Sequence, residues 1–260
     1  MPQLDQIHIE KMAEQMLIDF DDRNPGTVFA DGLRLELEDA WRVQRAVEQR
    51  RGARGEEVIG YKIGCVSGVN QKVMGLTHPV WGALWSTEQH RDGVELQKSN
   101  FANVAIEAEF AITVGRAIDP TNAGVSAVLE AVDAVFPVLE LHNLMMRGDP
   151  PHGHELIANN AIHAGVVRGR PITDAMGERE TDLALVFDGS TVDAWSGIRW
   201  PHDVLSAVEW LVRRLDEGGR RLNIGDTILV GALGPPIPVG GGKRVDVTSS
   251  AFGDVFATFV

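Results

Sequence analysis

The sequence predicts an α+β fold in one domain, with a helical N-terminal subdomain over residues 1–56 and a β-rich body over 57–260. Three observations carry this. Apolar residues recur at helical spacing in the first fifty or so positions. From about residue 57 the texture changes to short apolar segments between Gly, Pro and Asn turns. Only two helical patterns interrupt those segments, so the regular βαβ alternation of a doubly wound sheet is missing.

The first helix is read from Leu4, Ile7, Met12, Met16, Leu17 and Phe20. "NPGTVFADG" (24–32) punctuates the chain as a loop. A second helix follows in "LEDAWRVQRAVEQRR", with Ala40, Val43, Gln44 and Val47 facing one way, and "RGARGEE" ends it. Strands are predicted at 58–65, 104–114, 135–142, 162–168, 182–187, 226–231, 244–249 and 253–259. One later helix is expected over 123–135. The other is "HDVLSAVEWLVRRLDEGG", where Val204, Leu205, Val208, Leu211, Val212 and Leu215 form an apolar stripe and Gly218 and Gly219 stop it.

Composition narrows the function. Hydrophobic residues make up 44% and charged residues 23%, an ordinary globular mix, and 260 residues suffice for a large core. A net charge of -13 argues against nucleic acid, which needs clustered Lys and Arg. The lone Cys65 permits no internal disulfide and suits a reducing compartment; it is read as a small buried strand residue. The charged N-terminal stretch has no apolar core of a secretory leader, and no apolar run reaches the ~18 residues of a membrane span. A cytoplasmic protein is expected.

Several motifs dissolve on inspection. "VGGGKRV" (239–245) lacks the spacing and the Ser or Thr of a phosphate loop and reads as a turn. No G-x-S-x-G or strand-following G-x-G-x-x-G occurs. His152 and His154 form one short H-x-H in a Pro/Gly loop, too few ligands for a zinc site.

The charges that remain lie inside strand patterns. Glu107 and Glu109 in "AIEAEFAITVG" are two apart, so they share one strand face, and Glu140 ends the run "FPVLE". Three carboxylates from two strands make an oxygen-only site for a hard cation; the other reading is a half-exposed strand facing solvent. Lys62 in "VIGYKIGC" has Gly60 and Gly64 at i−2 and i+2, which leaves space for a ligand on its face. A surface lysine with a buried stem is the alternative. In a dry pocket its ammonium would shift toward neutrality and move protons.

"GYKIG", "MGLTHPVWGAL", "IEAEFAITVGR", "PVLEL", "ANNA" and "VGALGPPIPV", in that order and spacing, resemble the 2-keto-4-pentenoate hydratase and 4-oxalocrotonate decarboxylase family of the fumarylacetoacetate hydrolase superfamily, over roughly residues 38–260. The resemblance implies a mixed β-roll preceded by helices. It implies Mg2+ or Mn2+ on Glu107, Glu109 and Glu140, with Lys62 as the catalytic lysine. Ser67, Trp81, Asn160 and His163 are then expected near the substrate. The implied reaction is hydration of a 2-hydroxy-2,4-dienoate to a 4-hydroxy-2-oxo acid through a metal-stabilised enolate. Decarboxylation of a 4-oxalocrotonate-like diacid is the runner-up, with acylpyruvate C–C hydrolysis, served by His142 or His163, and a non-catalytic partner subunit behind it. A homo-oligomer is expected, with a complex with a related pathway enzyme as a further option.

The chain departs from the family pattern at Val80, where an acid commonly follows "HP". It departs again at Ile162-His163, where small hydroxyl residues are usual, and over 141–155. A bulkier or more apolar substrate than pentadienoate fits Trp81, Trp85, Met145 and Met146.

Overall fold

The computed structural model describes residues 3–174 and 177–260. The chain opens with α1 (Gln6–Asp21) and α2 (Leu37–Ala53). Asp5 caps α1 by accepting from His8 N, and Ile9, Ala13 and Met16 bury one face. In α2, Glu38 and Asp39 occupy the first turn and Arg50 and Arg51 the last, the charge order that the helix dipole favours.

The body follows as β1 (Val58–Gly64), α3 (Gly68–Val73), β2 (Val80–Trp85), β3 (Gln89–Arg91), β4 (Val94–Leu96), β5 (Val104–Val114), α4 (Val125–Ala131), β6 (Val132–Asn143), α5 (Gly153–Ala158), β7 (His163–Arg168), β8 (Arg179–Phe187), β9 (Ser190–Trp200), α6 (His202–Glu217), β10 (Thr227–Leu229), β11 (Ile237–Pro238), β12 (Arg244–Ser249) and β13 (Gly253–Phe259). All eight expected strands form. The short helices α3 and α5 and the strands β2, β3, β4, β9 and β11 are additions. The helix expected to reach 135 stops at Ala131, because Val132 and Ala134 pair with β5 and Val135 bridges Ile172.

An eight-stranded mixed sheet runs in the order β2-β1-β10-β5-β6-β7-β3, with β11 also on β5. A five-stranded sheet runs β4-β13-β12-β8-β9. The main core fills the space beneath the helices and between the sheets, where Phe252 meets Phe110 and Trp200 edge-on at 5.4 and 5.2 Å. α6 buries the six residues of its expected stripe. No helix among the described residues is long and apolar enough to cross a membrane.

One face of the larger sheet positions the site. In register, Lys62 pairs with Leu229, Leu229 with Ala111, Ala111 with Phe136, and Glu107 with Glu140. Side chains at paired positions project to the same side, and so do residues two apart in one strand. Lys62, Glu107, Glu109, Glu140 and His142 therefore rise from one face. Leu84, Ala111, Phe136, Val138, Val166 and Leu229 form a separate dry apolar cluster beside them.

Candidate active site

Lys62 leaves the middle of β1 and is 2% exposed. Its Nζ lies 3.1 Å from Glu140 Oε1. Burial acts against the ammonium, but the carboxylates of Glu140, Glu107 and Glu109 outweigh it and raise the pKa above that of an ordinary lysine. Of the two forms open to a buried lysine, the carboxylates around Lys62 favour the ammonium. Of its two flanking glycines, only Gly64 makes room for it. A Cβ there would stand 3.5 Å from Nζ and 3.3 Å from Val80 Cγ2. Gly60 answers a different need, since a Cβ would lie 1.9 Å from the Thr227 carbonyl oxygen of the parallel neighbour β10. Across the pair with β2, the partner of Lys62 is Gly82, and it is a glycine because a Cβ would stand 2.6 Å from the Asn160 carbonyl oxygen.

Glu140 is the hub. Its Oε1 accepts from Lys62 and from His163 Nδ1 at 2.8 Å, while its Oε2 has no hydrogen bond although the side chain is fully buried. Burial raises the Glu140 pKa, but Lys62 and then His142 outweigh it, and the carboxyl is held well below the usual range. Glu107 Oε2 accepts from His142 Nε2 at 2.9 Å. Glu109 shares the face, as strand parity predicts, but its Oε2 takes the Gly231 backbone N–H at 3.0 Å and its Oε1 is buried without a partner. Burial, and next the Glu140 charge, push its pKa well above the ordinary value.

This donor set fits a divalent cation. One ligand atom each from Glu107, Glu140 and His142 lies within 4.8 Å of the others. Buried carboxylate oxygens without partners are costly, and a cation satisfies them. The tight cluster differs from the triad read in the sequence: His142 enters it, and Glu109 stands beside it with one oxygen committed to Gly231. The signal for His142 was available, since it follows Glu140 by two in the same strand.

A cleft of about 240 Å³ opens over Lys62, Glu107 and His142. Its walls come from Val73, Met74, Val80, Met146, Leu156 and Ile162, among others. Cys65 is part of the wall, just past β1 in a left-handed conformation (φ 53°) rather than inside the strand. Ala161 and Ile162 enter the cleft from a run in which Asn160, Ala161 and Ile162 all have positive φ (53, 52 and 56°). Each such residue costs roughly 1–2 kcal/mol. The Asn160 side chain holds the run in place by accepting from Ala83 N and donating to Ala83 O at 2.7 and 2.9 Å.

The four residues expected near substrate fall elsewhere. Asn160 spends its amide on that brace. Trp81 projects with Ile63, on the face opposite Lys62, and stacks on Trp41 with ring centroids 5.3 Å apart. His163 lies behind Glu140, its Nε2 3.9 Å from Glu88 Oε2. Ser67 caps α3 by accepting from Asn70 N and lines a separate hollow with Glu109 and Gly231. His152 and His154 are occupied in the fold: His152 Nδ1 accepts from His154 N, and His154 Nδ1 meets Leu35 O at 2.7 Å.

No family model matches the sequence. Individual relatives do. The TodF product hydratase of Pseudomonas putida F1 is 31% identical over 227 residues, covering 86% of this chain and 84% of that one. The chain belongs to the 2-keto-4-pentenoate hydratase and 4-oxalocrotonate decarboxylase family. A 2-keto-4-pentenoate hydratase of Paraburkholderia xenovorans LB400 is likewise 31% identical over 230 residues, with 86% and 84% covered. The fold matches a structure of 4-oxalocrotonate decarboxylase from Pseudomonas putida G7 complexed with magnesium and adipate, with a TM-score of 0.89, 24% identity and 99% of both chains covered. The chain is a hydratase-type enzyme of this family. Val80 puts an apolar wall on the cleft, Ile162 ends the left-handed run, and His163 starts β7 with φ -59°.

Proposed function

We propose that the chain adds water to a 2-hydroxy-2,4-dienoate, giving a 4-hydroxy-2-oxo acid, with Glu107, Glu109 and Glu140 holding Mg2+ or Mn2+ and Lys62 acting at the substrate's 2-oxygen. The observation that carries this reading is the buried Lys62 ammonium, 3.1 Å from Glu140, opening with Glu107 into one cleft.

A divalent cation bound there supplies Lewis-acid stabilisation of negative charge. The protein's own part is positional. Ketonisation removes the 2-hydroxyl proton and delivers one to carbon; conjugate addition of water then forms the new C–O bond. Both steps put negative charge on the 2-oxygen, and a pre-placed, charged lysine stabilises that charge without reorganisation. Gly64 keeps the lysine's surroundings open. Val80, Met146, Leu156 and Ile162 exclude bulk water and contact the hydrocarbon end of the substrate.

Decarboxylation of a 4-oxalocrotonate-like diacid is the second reading. Val80 favours it, because that wall offers no carboxylate to handle water. The rest of the lining favours hydration. Away from Lys62, Glu107 and His142, the cleft presents Asn70, Cys65 and otherwise apolar groups, with no cation for a second carboxylate. Acylpyruvate hydrolysis loses one of its two candidate bases, since His163 is committed to Glu140. A cytoplasmic homo-oligomer accompanies the proposal, in keeping with the single cysteine and the acidic composition.

The test is incubation with enzymatically generated 2-hydroxypenta-2,4-dienoate and Mg2+ or Mn2+. Hydration predicts loss of dienol absorbance and a product heavier by one water. Release of CO2 from the diacid, with the dienoate untouched, would select decarboxylation. Turnover of neither would overturn both.

A further inference from the structure

Glu140 and His142 are two apart in β6, and Glu107 sits directly across from Glu140 in β5. His142 Nε2 is 2.9 Å from Glu107 Oε2 and 3.5 Å from Glu140 Oε2. Neighbouring ligands on an octahedral ion with bonds of about 2.1 Å lie roughly 3 Å apart, so the imidazole nitrogen stands at ligand spacing from both carboxylates, and all three residues offer atoms within 4.8 Å of one another. The Glu140 oxygen facing the imidazole is the one without a hydrogen bond; the other is taken by Lys62 and His163. His142 is 2% exposed, and its ring lines the cleft beside Glu107. Glu109, the third carboxylate of the proposed set, gives one oxygen to Gly231 and keeps Oε1 without a partner, so His142 adds a nitrogen to that set.

Ligand chemistry gives this arrangement a consequence. Oxygen-only sites suit Mg2+ and Ca2+, whereas an imidazole nitrogen shifts affinity toward first-row transition ions. We propose that His142 Nε2 is a direct ligand of the divalent cation, making the site a mixed oxygen–nitrogen one that selects Mn2+ or Co2+ over Mg2+. This rests on the reading that a cation is held at Glu107 and Glu140. With Nε2 on the ion, the ring proton resides on Nδ1, which makes no hydrogen bond in the protein.

The experiment reads the metal rather than turnover. Metal-free wild type is titrated with Co2+ and followed by visible absorption and proton NMR. A histidine on high-spin Co2+ gives a strongly shifted, solvent-exchangeable ring N–H resonance. The proposal expects that resonance in the wild type and its loss in His142→Ala. In calorimetric titrations, His142→Ala should weaken Mn2+ binding roughly 10–100-fold, the range seen even for outer-shell partners, while Mg2+ affinity changes far less.

A wild-type Co2+ complex without the shifted resonance would overturn the proposal and leave His142 as a hydrogen-bond partner of Glu107. This arm does not depend on the variant folding. Equal loss of Mn2+ and Mg2+ affinity in the variant would overturn the selectivity. Wild type that binds no divalent cation would overturn the metal reading and this proposal together. The resonance with no dienoate turnover would support the ligand assignment while removing the hydratase reading.

Discussion

Lys62 Nζ and Glu140 Oε1 stand 3.1 Å apart with side-chain exposures of 3% and 0%, a fully buried ion pair joining β1 to β6 across two intervening strands. Such a pair is poor value as packing, because the desolvation of both charges offsets their attraction. Its worth here is a fixed ammonium beside carboxylate oxygens that still lack partners. The neighbouring Glu109 extends the tension, since burial and the Glu140 charge raise its pKa.

That tension predicts a pH-dependent response to metal. Glu109 has a folded-state pKa raised above its unfolded value. In the metal-free protein, stability is therefore lost as pH rises from the ordinary carboxylate range through the raised pKa. A divalent cation favours the ionised carboxylate and removes the penalty. The increase in Tm on adding Mn2+ should therefore grow over the range that begins at the ordinary carboxylate value of about 4 and runs upward in pH, measured by thermal unfolding with and without metal. A constant increment across that range would contradict the burial-driven rise of the Glu109 pKa.

Much of this was legible in the chain. Strand parity put Glu107 and Glu109 on one face, and the short apolar run ending at Glu140 supplied the second strand. Other features obeyed physics that pattern reading does not capture. β2 is buried at every position, so "VWGALW" shows no alternation to mark it as a strand. Glu109 matches Glu107 in parity, but the Gly231 backbone that takes its oxygen comes from 122 residues away. Gly60 and Gly64 look equivalent around Lys62, yet one serves a close strand and the other the lysine. Trp81 sits next to a motif residue in sequence and on the opposite face in space.

Gly60 gives a direct stability test. It has φ 149° and no room for a Cβ against Thr227. Gly60→Ala combines backbone strain of about 1–3 kcal/mol with overpacking of about 1–3 kcal/mol. Urea unfolding should show a loss of about 3 kcal/mol or more. Gly68→Ala, at a position with open space around the glycine, serves as the control and should be nearly neutral.

Arg51 ties the N-terminal helices to the body. Its guanidinium meets Glu56 at 2.5 Å and Glu88 at 2.6 Å, and lies 4.2 Å over the Trp85 ring. Arg51→Ala leaves two carboxylates without their shared cation and should cost about 3–5 kcal/mol. Thermal unfolding reads the loss, and Glu88→Gln in the Arg51→Ala background should recover part of it. No recovery would mean that stranded charge is not the cause.

The most direct measurement is turnover of 2-hydroxypenta-2,4-dienoate by Lys62→Met alongside its affinity for Mn2+. The side chain stays similar in length and loses its charge and its N–H donors, while the acidic residues around the cation remain. If Lys62 stabilises the developing charge, turnover falls about 10²–10³-fold with the cation still bound. Turnover at the parent rate would show that the buried ammonium takes no part in the chemistry.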